Sequence, residues 1–469
     1  MITDAVFDHI ALGGAEDLLD AERLAELVGR PAAITSLRVK PGESLLVAWS
    51  QGPLLEEHGW AMLTAGTDKR DGILRRAAKV GAAVSTASRR GIHLLTGGVE
   101  SDPQLAGPLA SARRRLKGSP QLEVLRYNPG RRIVLRTADT SPNSDPHAPD
   151  SDPLSPDSDP LSPDSDPLSP DSDPLSPDTQ PDHRPRPDTQ PNHRSLYFET
   201  GAGALLSTRD ARPAWDREPS SKAAGIVSKG SRAQVLRVAA KSLLPLLAVE
   251  GEWERLGAPV IRHTIQRRRD TAAVTPFWGL GDLSSVRDPR AAEQAGRAIA
   301  GVHEGSAGPT VVHAPGRGLV GMVETLSALL PHRDELLAEI AWRLGPSEDH
   351  SATVSLHGDL TPDQILTDGS TIRIADLDRS HRGSAGTDLG WWSAGCMLLG
   401  APKLETAFLD GYTSVRPAPD LDLWRARALL TFALIPFRRW QPDWQAETER
   451  RIDLAAHTLG ITPSLETLP

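Results

Sequence analysis

The residues best placed for chemistry lie in Val354–Trp392, which begins Val354-Ser355-Leu356-His357-Gly358-Asp359-Leu360-Thr361-Pro362-Asp363-Gln364-Ile365-Leu366. A short apolar strand delivers His357 and Asp359 into a loop. Ile365-Leu366-Thr367, a turn at Asp368-Gly369 and Thr371-Ile372-Arg373-Ile374-Ala375 follow, and Asp-Gly between apolar runs is a strong hairpin signal. With a turn of about two to four residues, Gln364 pairs between Arg373 and Ala375. Gln364 and Asp376 then stand side by side, with Asp359 one loop away. Mg²⁺ takes hard oxygen ligands, one or two from protein and the rest from phosphates and water. A separate carboxylate can orient a hydroxyl and accept its proton. The set suits phosphoryl transfer.

Elements elsewhere must carry this loop. Ser36-Leu37-Arg38-Val39, the turn Lys40-Pro41-Gly42-Glu43 and Ser44–Trp49 read as a hairpin within Ile34–Trp49. A second hairpin runs Leu122–Tyr127, turns at Asn128-Pro129-Gly130 and returns through Arg131–Arg136, with the β-branched and apolar content of strands. Asp71–Ala87 between them reads as a helix. Gly225–Lys229 could add a third strand, followed by an Ala/Leu-rich helix from about Arg232 to Leu244 that Pro245 should end. From Pro289 onward the periodicity is helical: Ala295, Ile299 and Val302 share one face, Leu319, Met322, Leu326, Leu329 and Leu330 another, and Leu429, Leu430, Ala433 and Phe437 a third.

His357-Gly358-Asp359-x-x-x-x-Gln364, then Asp376, then Gly383-Ser384-Ala385-Gly386-Thr387-Asp388-Leu389, resembles the aminoglycoside phosphotransferase and choline kinase superfamily of small-molecule kinases. The resemblance covers roughly Leu122 to the last residue and is specific in Val354–Leu389. It implies an α+β, bilobal protein-kinase-like fold, with a β-rich N-lobe at 119–138 and 195–280 and a helical C-lobe at 281–469. It implies ATP between the lobes, a hydroxyl of a small molecule as acceptor, Asp359 and His357 in the catalytic loop, and Mg²⁺ on Gln364 and Asp376. Asp388 would brace that loop, Asn128 and Arg131 would sit at the phosphates, and Lys229 would be the strand-three lysine. Residues 1–118 fall outside the common core and form an additional small α+β unit, similar in placement and size to the cap of bacterial maltokinases.

Three departures bear on activity. Gln364 stands where the family has Asn, one methylene longer. No acid occurs from Ser231 to Val249, so Glu250 is the first candidate partner for the lysine. Ser384-Ala385 replaces Asp-Pro. The first two also suit a nucleotide-binding pseudokinase with a sensing or scaffolding role, against which the retention of Asp359 and Asp376 argues.

The net charge of −9 belongs to one segment. Residues 139–194 hold 13 Asp and 3 Arg, leaving 49 basic against 48 acidic residues elsewhere. Neither overall acidity nor a basic nucleic-acid footprint describes the rest. That segment repeats Ser-Asp-Pro-Leu-Ser-Pro-Asp from Ser151, Ser158, Ser165 and Ser172, and its prolines forbid a heptad coil, so it reads as a disordered insertion. Loop closure grows only logarithmically with length, so a sheet tolerates such an insertion. One cysteine, Cys396, excludes an intrachain disulfide and reads as a small buried hydrophobe. Without a basic and apolar leader or a long apolar run, the chain is expected to be cytoplasmic, with no membrane, nucleic-acid or obligate protein partner. His303, His381, His58 and His93 lack metal-ligand spacing, and Trp391, Trp392, Trp440 and Trp444 read as core. Gly316-x-Gly318-x-x-Gly321 has no strand-helix-strand context and reads as a loop entering a helix.

Overall fold

Alternating apolar side chains and turn residues fold the first 116 residues around an antiparallel sheet. The computed structural model describes residues 4–116, 121–137, 233–266, 270–306, 316–345 and 353–462. The repeat, the strand expected over Gly225–Lys229 and Lys229 itself lie outside the described residues. Helices α1 (Asp4–Ile10), α2 (Ala15–Leu19) and α3 (Ala21–Val28) precede strands β1 (Ala33–Lys40), β2 (Ser44–Ser50) and β3 (His58–Thr64). Then come α4 (Thr67–Val80), β4 (Ser85–Arg89), β5 (Ile92–Gly98) and α5 (Ala106–Arg113). The strand order is β1-β2-β3-β5-β4. The expected first hairpin is β1–β2, with Lys40 opposite Ser44. The helix expected over Asp71–Ala87 starts four residues earlier and stops at Val80, where Gly81 caps it, so Ser85–Ala87 is strand instead.

A second antiparallel sheet has the order β6-β7-β8-β10-β9. Its strands are β6 (Leu122–Asn128), β7 (Arg132–Thr137), β8 (Gln234–Ala239), β9 (Thr264–Ile265) and β10 (Ala272–Pro276), with α6 (Leu244–Arg255) between β8 and β9. The helix expected over Arg232–Leu244 is not there. Gln234–Ala239 is the third strand, with Leu236 to Ala239 all buried, and pairing between β7 and β10 overrides helix propensity. Pro245 opens α6 rather than ending a helix, because the first turn has no use for its missing N–H.

The remaining chain is mainly helical. Short strand β11 (Gly281–Asp282) leads through α7 (Leu283–Val286) to α8 (Pro289–Gly305), α9 (Gly316–Leu329) and α10 (Asp334–Leu344). Strands β12 (Val354–Leu356), β13 (Ile365–Thr367), β14 (Ile372–Ile374) and β15 (His381–Gly383) carry the loops of interest. Helices α11 (Gly386–Leu399), α12 (Pro402–Thr413), α13 (Asp422–Phe432), α14 (Ile435–Arg438) and α15 (Trp444–Thr458) complete the described chain. A five-stranded sheet with one helix between its third and fourth strands, feeding a helical half, is the bilobal protein-kinase-like arrangement. Gly316–Gly321 begins α9. No helix among the described residues is long and apolar enough to cross a membrane.

Three cores tie these parts together. One face of β6–β8, with Leu122, Tyr127, Ile133, Leu135, Leu236 and Val238, packs on Leu105, Leu109 and Ala112 around α5. Apolar residues of α1–α3 and β1–β3 share a second core with α9, α10, α13 and α15. The N-terminal segment thus touches both halves. The third core fills the helical half, where Trp392 stacks on Phe408 at 4.2 Å, and Cys396 is fully buried. Trp391 and Trp444 are also buried, while Trp440 is half-buried and donates Nε1–H to the Leu19 carbonyl.

Helices α8 and α12 cross closely enough that a Cβ at Gly411 would stand 2.1 Å from the Glu293 carbonyl oxygen. Gly411→Ala must push the two backbones apart, at about 1–3 kcal/mol of stability for overpacking. Gly301→Ala on α8, with nothing within 4 Å of the new methyl, should leave stability unchanged or slightly raised. Urea denaturation of the two variants reads the difference.

Candidate active site

The loop after β12 is held by one carboxylate. Asp388, in the first turn of α11, accepts from the His357 N–H at 2.7 Å and the Gly358 N–H at 2.9 Å. Its Oδ2 also meets His303 Nε2 at 3.3 Å, and His303 Nδ1 meets the Tyr412 hydroxyl at 3.0 Å. Burial works to raise the Asp388 carboxyl, but the His303 contact and neighbouring N–H groups outweigh it and hold the group below its ordinary value. Gly358 is needed for shape: its φ is +77°, and a Cβ there would lie 2.3 Å from the Arg379 carbonyl oxygen.

His357 serves the loop. Its ring is fully buried, and burial lowers its pKa, so it is neutral. Nε2–H donates to the Ala375 carbonyl at 2.9 Å while Nδ1 accepts the Asp359 N–H at 3.3 Å. With both nitrogens used internally, His357 positions Asp359 and has no site left for proton transfer to a ligand.

Asp359 is 3 % exposed. Its Oδ1 has no hydrogen-bond partner among the described residues, and its Oδ2 lies 3.8 Å from Arg379 Nε. Burial pushes this carboxyl well above the ordinary range, Arg379 opposing it only in part. Such a group accepts a proton readily and lacks a donor.

Gln364 and Asp376 are brought together by the hairpin as its turn demands. Ile365 pairs with Ile374, and the Ala375 N–H donates to the Gln364 carbonyl at 2.9 Å. Their side chains then diverge in use. Gln364 Nε2 donates to Asp363 Oδ2 at 2.8 Å, and burial raises the Asp363 carboxyl to about 7. Asp376, in left-handed backbone with φ 59°, turns its carboxylate to three guanidiniums of the sheet above. Oδ2 accepts from Arg126 at 2.7 Å and Arg132 at 3.1 Å, and Oδ1 from Arg132 at 2.9 Å and Arg237 at 3.4 Å. Asp378 pairs with Arg132 and Arg237. Burial would raise Asp376, but Arg126 and Arg237 hold it below its ordinary value.

This donor set does not fit Mg²⁺ as folded. Both Asp376 oxygens already carry two charge-assisted bonds each, and a dication there would face three guanidiniums. Among the described residues no group of three His, Cys, Asp or Glu is disposed to hold a metal.

Sequence reasoning missed the arginines. Arg237 occupies the third strand, and Glu250 on α6 spends its carboxylate on the His263 N–H and Nδ1 at 3.0 and 2.6 Å. Arg126 reaches the cleft because a register shift between Val124 and Arg126 sets it opposite Val134 instead of in phase with Val124. The period-two pair Asp376/Asp378 was the available signal. Asn128 ends β6 and its carbonyl accepts the Arg131 N–H at 3.0 Å, while Arg131 keeps solvent access at the turn. That turn is gripped from behind by Asp102, fully buried, which accepts from the Gly130 N–H and the Tyr127 hydroxyl, both at 2.8 Å.

No family model matches this chain, and no curated protein matches it. Among solved structures it is similar to a spectinomycin phosphotransferase crystallised with ADP and spectinomycin, at 13% identity and a TM-score of 0.38, over 49% of this chain and 86% of that one. It is also similar to a choline/ethanolamine kinase family protein from Mesorhizobium loti, at 18% identity and 0.37, over 50% and 84%. A choline kinase from Streptococcus pneumoniae gives 13% and 0.36, over 50% and 88%. These values describe a likeness over half of the chain and carry no argument about what it acts on.

Because its carboxyl is held low, Asp388 contributes stability above its unfolded-state value of about 4 that is lost as pH falls through the lower folded value. Asp388→Asn should therefore destabilise by about 3 kcal/mol at pH 5. Urea melts at pH 5 and pH 3 should show that penalty shrinking at the lower pH.

Proposed function

We propose that the chain binds ATP between its two halves and transfers a phosphoryl group to a hydroxyl of a small molecule, with Asp359 orienting that hydroxyl and accepting its proton. What carries the reading is the Asp359 carboxylate: buried, raised in pKa, with Oδ1 unbonded, on a loop fixed by two N–H bonds to Asp388. A proton acceptor so placed needs a donor, and an acceptor hydroxyl supplies one. Arg126, Arg132 and Arg237 provide the positive charge that phosphates require, in the planar form that binds them bidentately. Asn128 and Arg131 stand at the β6–β7 turn, where they would meet the phosphates. Magnesium on Gln364 and Asp376 does not fit the donor set, so no step is assigned to it.

A second reading is a nucleotide-binding pseudokinase. The saturation of Asp376 by arginine favours it, since a group spent on an internal ion pair is withdrawn from a bound metal.

The two separate in one experiment. Calorimetry with ATP should give binding that survives chelation of divalent ions within about threefold, the guanidiniums carrying the phosphate charge. Loss of binding on chelation would mean that the carboxylates rearrange to take a metal. Slow ATP hydrolysis, which needs no acceptor, should fall about 10²–10⁴-fold in Asp359→Asn. In the wild type it should decline as pH drops through the raised value of Asp359, because only the carboxylate accepts a proton. ATP binding without hydrolysis at any pH would establish the second reading.

A further inference from the structure

The register of β6, β7 and β8 gathers three arginines on one face of the sheet. Arg126 on β6 stands opposite Val134 on β7, and Val134 opposite Arg237 on β8, so the three side chains form one row. Arg132, two residues before Val134 on the same strand, projects to the same side. Ile133, Leu135, Leu236 and Val238 take the other side, where they share a core with α5. Asp376 accepts from all three guanidiniums, and Asp378 pairs with Arg132 and Arg237.

The turn that carries both acids is small. It spans residues 376–380 between β14 and β15, and the Ser380 N–H closes it on the Leu377 carbonyl at 3.1 Å. Leu377 is buried in the core of the helical half, a fixed point with one acid on either side. Asp378 is the more accessible of the two, 26 % exposed at its side chain against 15 % for Asp376. A carboxylate and a phosphate offer a guanidinium the same paired oxygens. Each bond that Asp376 or Asp378 makes to these arginines is therefore one that a phosphate oxygen can make in its place, and with neither present the gathered guanidiniums would repel one another. We propose that Asp376 and Asp378 are an internal occupant of an anion site: in the free protein they cover Arg126, Arg132 and Arg237, and a polyphosphate chain binds by displacing them. This rests on the phosphotransferase reading above and adds to it an autoinhibitory contact at the phosphates.

The probe is inorganic tripolyphosphate, which carries the phosphates without the nucleoside. It is titrated into the full chain by calorimetry at low salt with divalent ions chelated. Asp378→Asn and Asp376→Asn each remove one competing charge and keep an acceptor oxygen, so each should bind tripolyphosphate at least about tenfold more tightly than the wild type. Adding Arg132→Gln to Asp378→Asn should abolish that gain, whereas Glu335→Gln, at an exposed acid on α10, should change affinity by no more than about twofold. Thermal melts show which variants are folded. Hydrogen exchange on the wild type needs no variant: saturation with tripolyphosphate should speed exchange over residues 378–380, because the turn loses its ties to the sheet. Unchanged or weaker binding in a folded Asp376→Asn or Asp378→Asn, a gain that survives Arg132→Gln or is matched by Glu335→Gln, or exchange that does not rise overturns the proposal. So does the absence of tripolyphosphate binding by the wild type and by every folded variant. ATP separates this from the reading on which it rests: ATP that binds no more tightly than tripolyphosphate overturns the nucleotide reading, and the variants then decide the competing carboxylates alone.

Discussion

The contact on which the interior of the cleft depends is the ion cluster of Arg126, Arg132 and Arg237 with Asp376 and Asp378. It joins three strands of one half to a single turn of the other, and each partner would be costly to leave alone. Arg237 is 5 % exposed at its side chain and Asp376 15 %, so removing either carboxylate strands guanidinium charge in a place that water scarcely reaches. Buried ion pairs add little net stability over apolar packing, but they demand one geometry. Here that geometry sets the spacing between the sheet and the Asp359 loop. It also fixes where the three guanidiniums stand relative to Asp376.

The N-terminal segment makes the arrangement more rigid than two lobes on a hinge. Its α5 covers the back of β6–β8, and its sheet and first helices share a core with α9, α10, α13 and α15. Both halves are thus packed against one body. Asp102 then fixes the β6–β7 turn through the Gly130 N–H, and Arg38 fixes it through the Pro129 carbonyl. A turn held at both Pro129 and Gly130 is preset in shape.

The loop after β12 and the hairpin beyond it were legible because their signals are local. Asp-Gly between apolar runs fixes a hairpin, and a hairpin fixes which residues meet at its base, so Gln364 and Ala375 came out adjacent. The mostly helical half was legible for the same reason, from faces repeating over several turns. What failed was non-local. Gln234–Ala239 reads as helix by propensity and is strand because β7 and β10 lie on either side of it. Arg126 could not be placed without the register shift beside it. The spacing rule put Asp376 in the right position, yet it could not say which cations would reach that position, since the three that do come from residues about 140 to 250 positions away. His357 shows the complementary limit. Its place in the motif says nothing of the partners of its two nitrogens, which are the Ala375 carbonyl and the Asp359 N–H.

Charge balance links these points. Outside the acidic segment the chain is nearly neutral, so an excess of positive charge at the cleft is a matter of placement and not of composition. Arg126, Arg132 and Arg237 meet Asp376 and Asp378 there, so that charge is held in an ion cluster which forms only when three strands of the sheet and the turn after β14 are packed together.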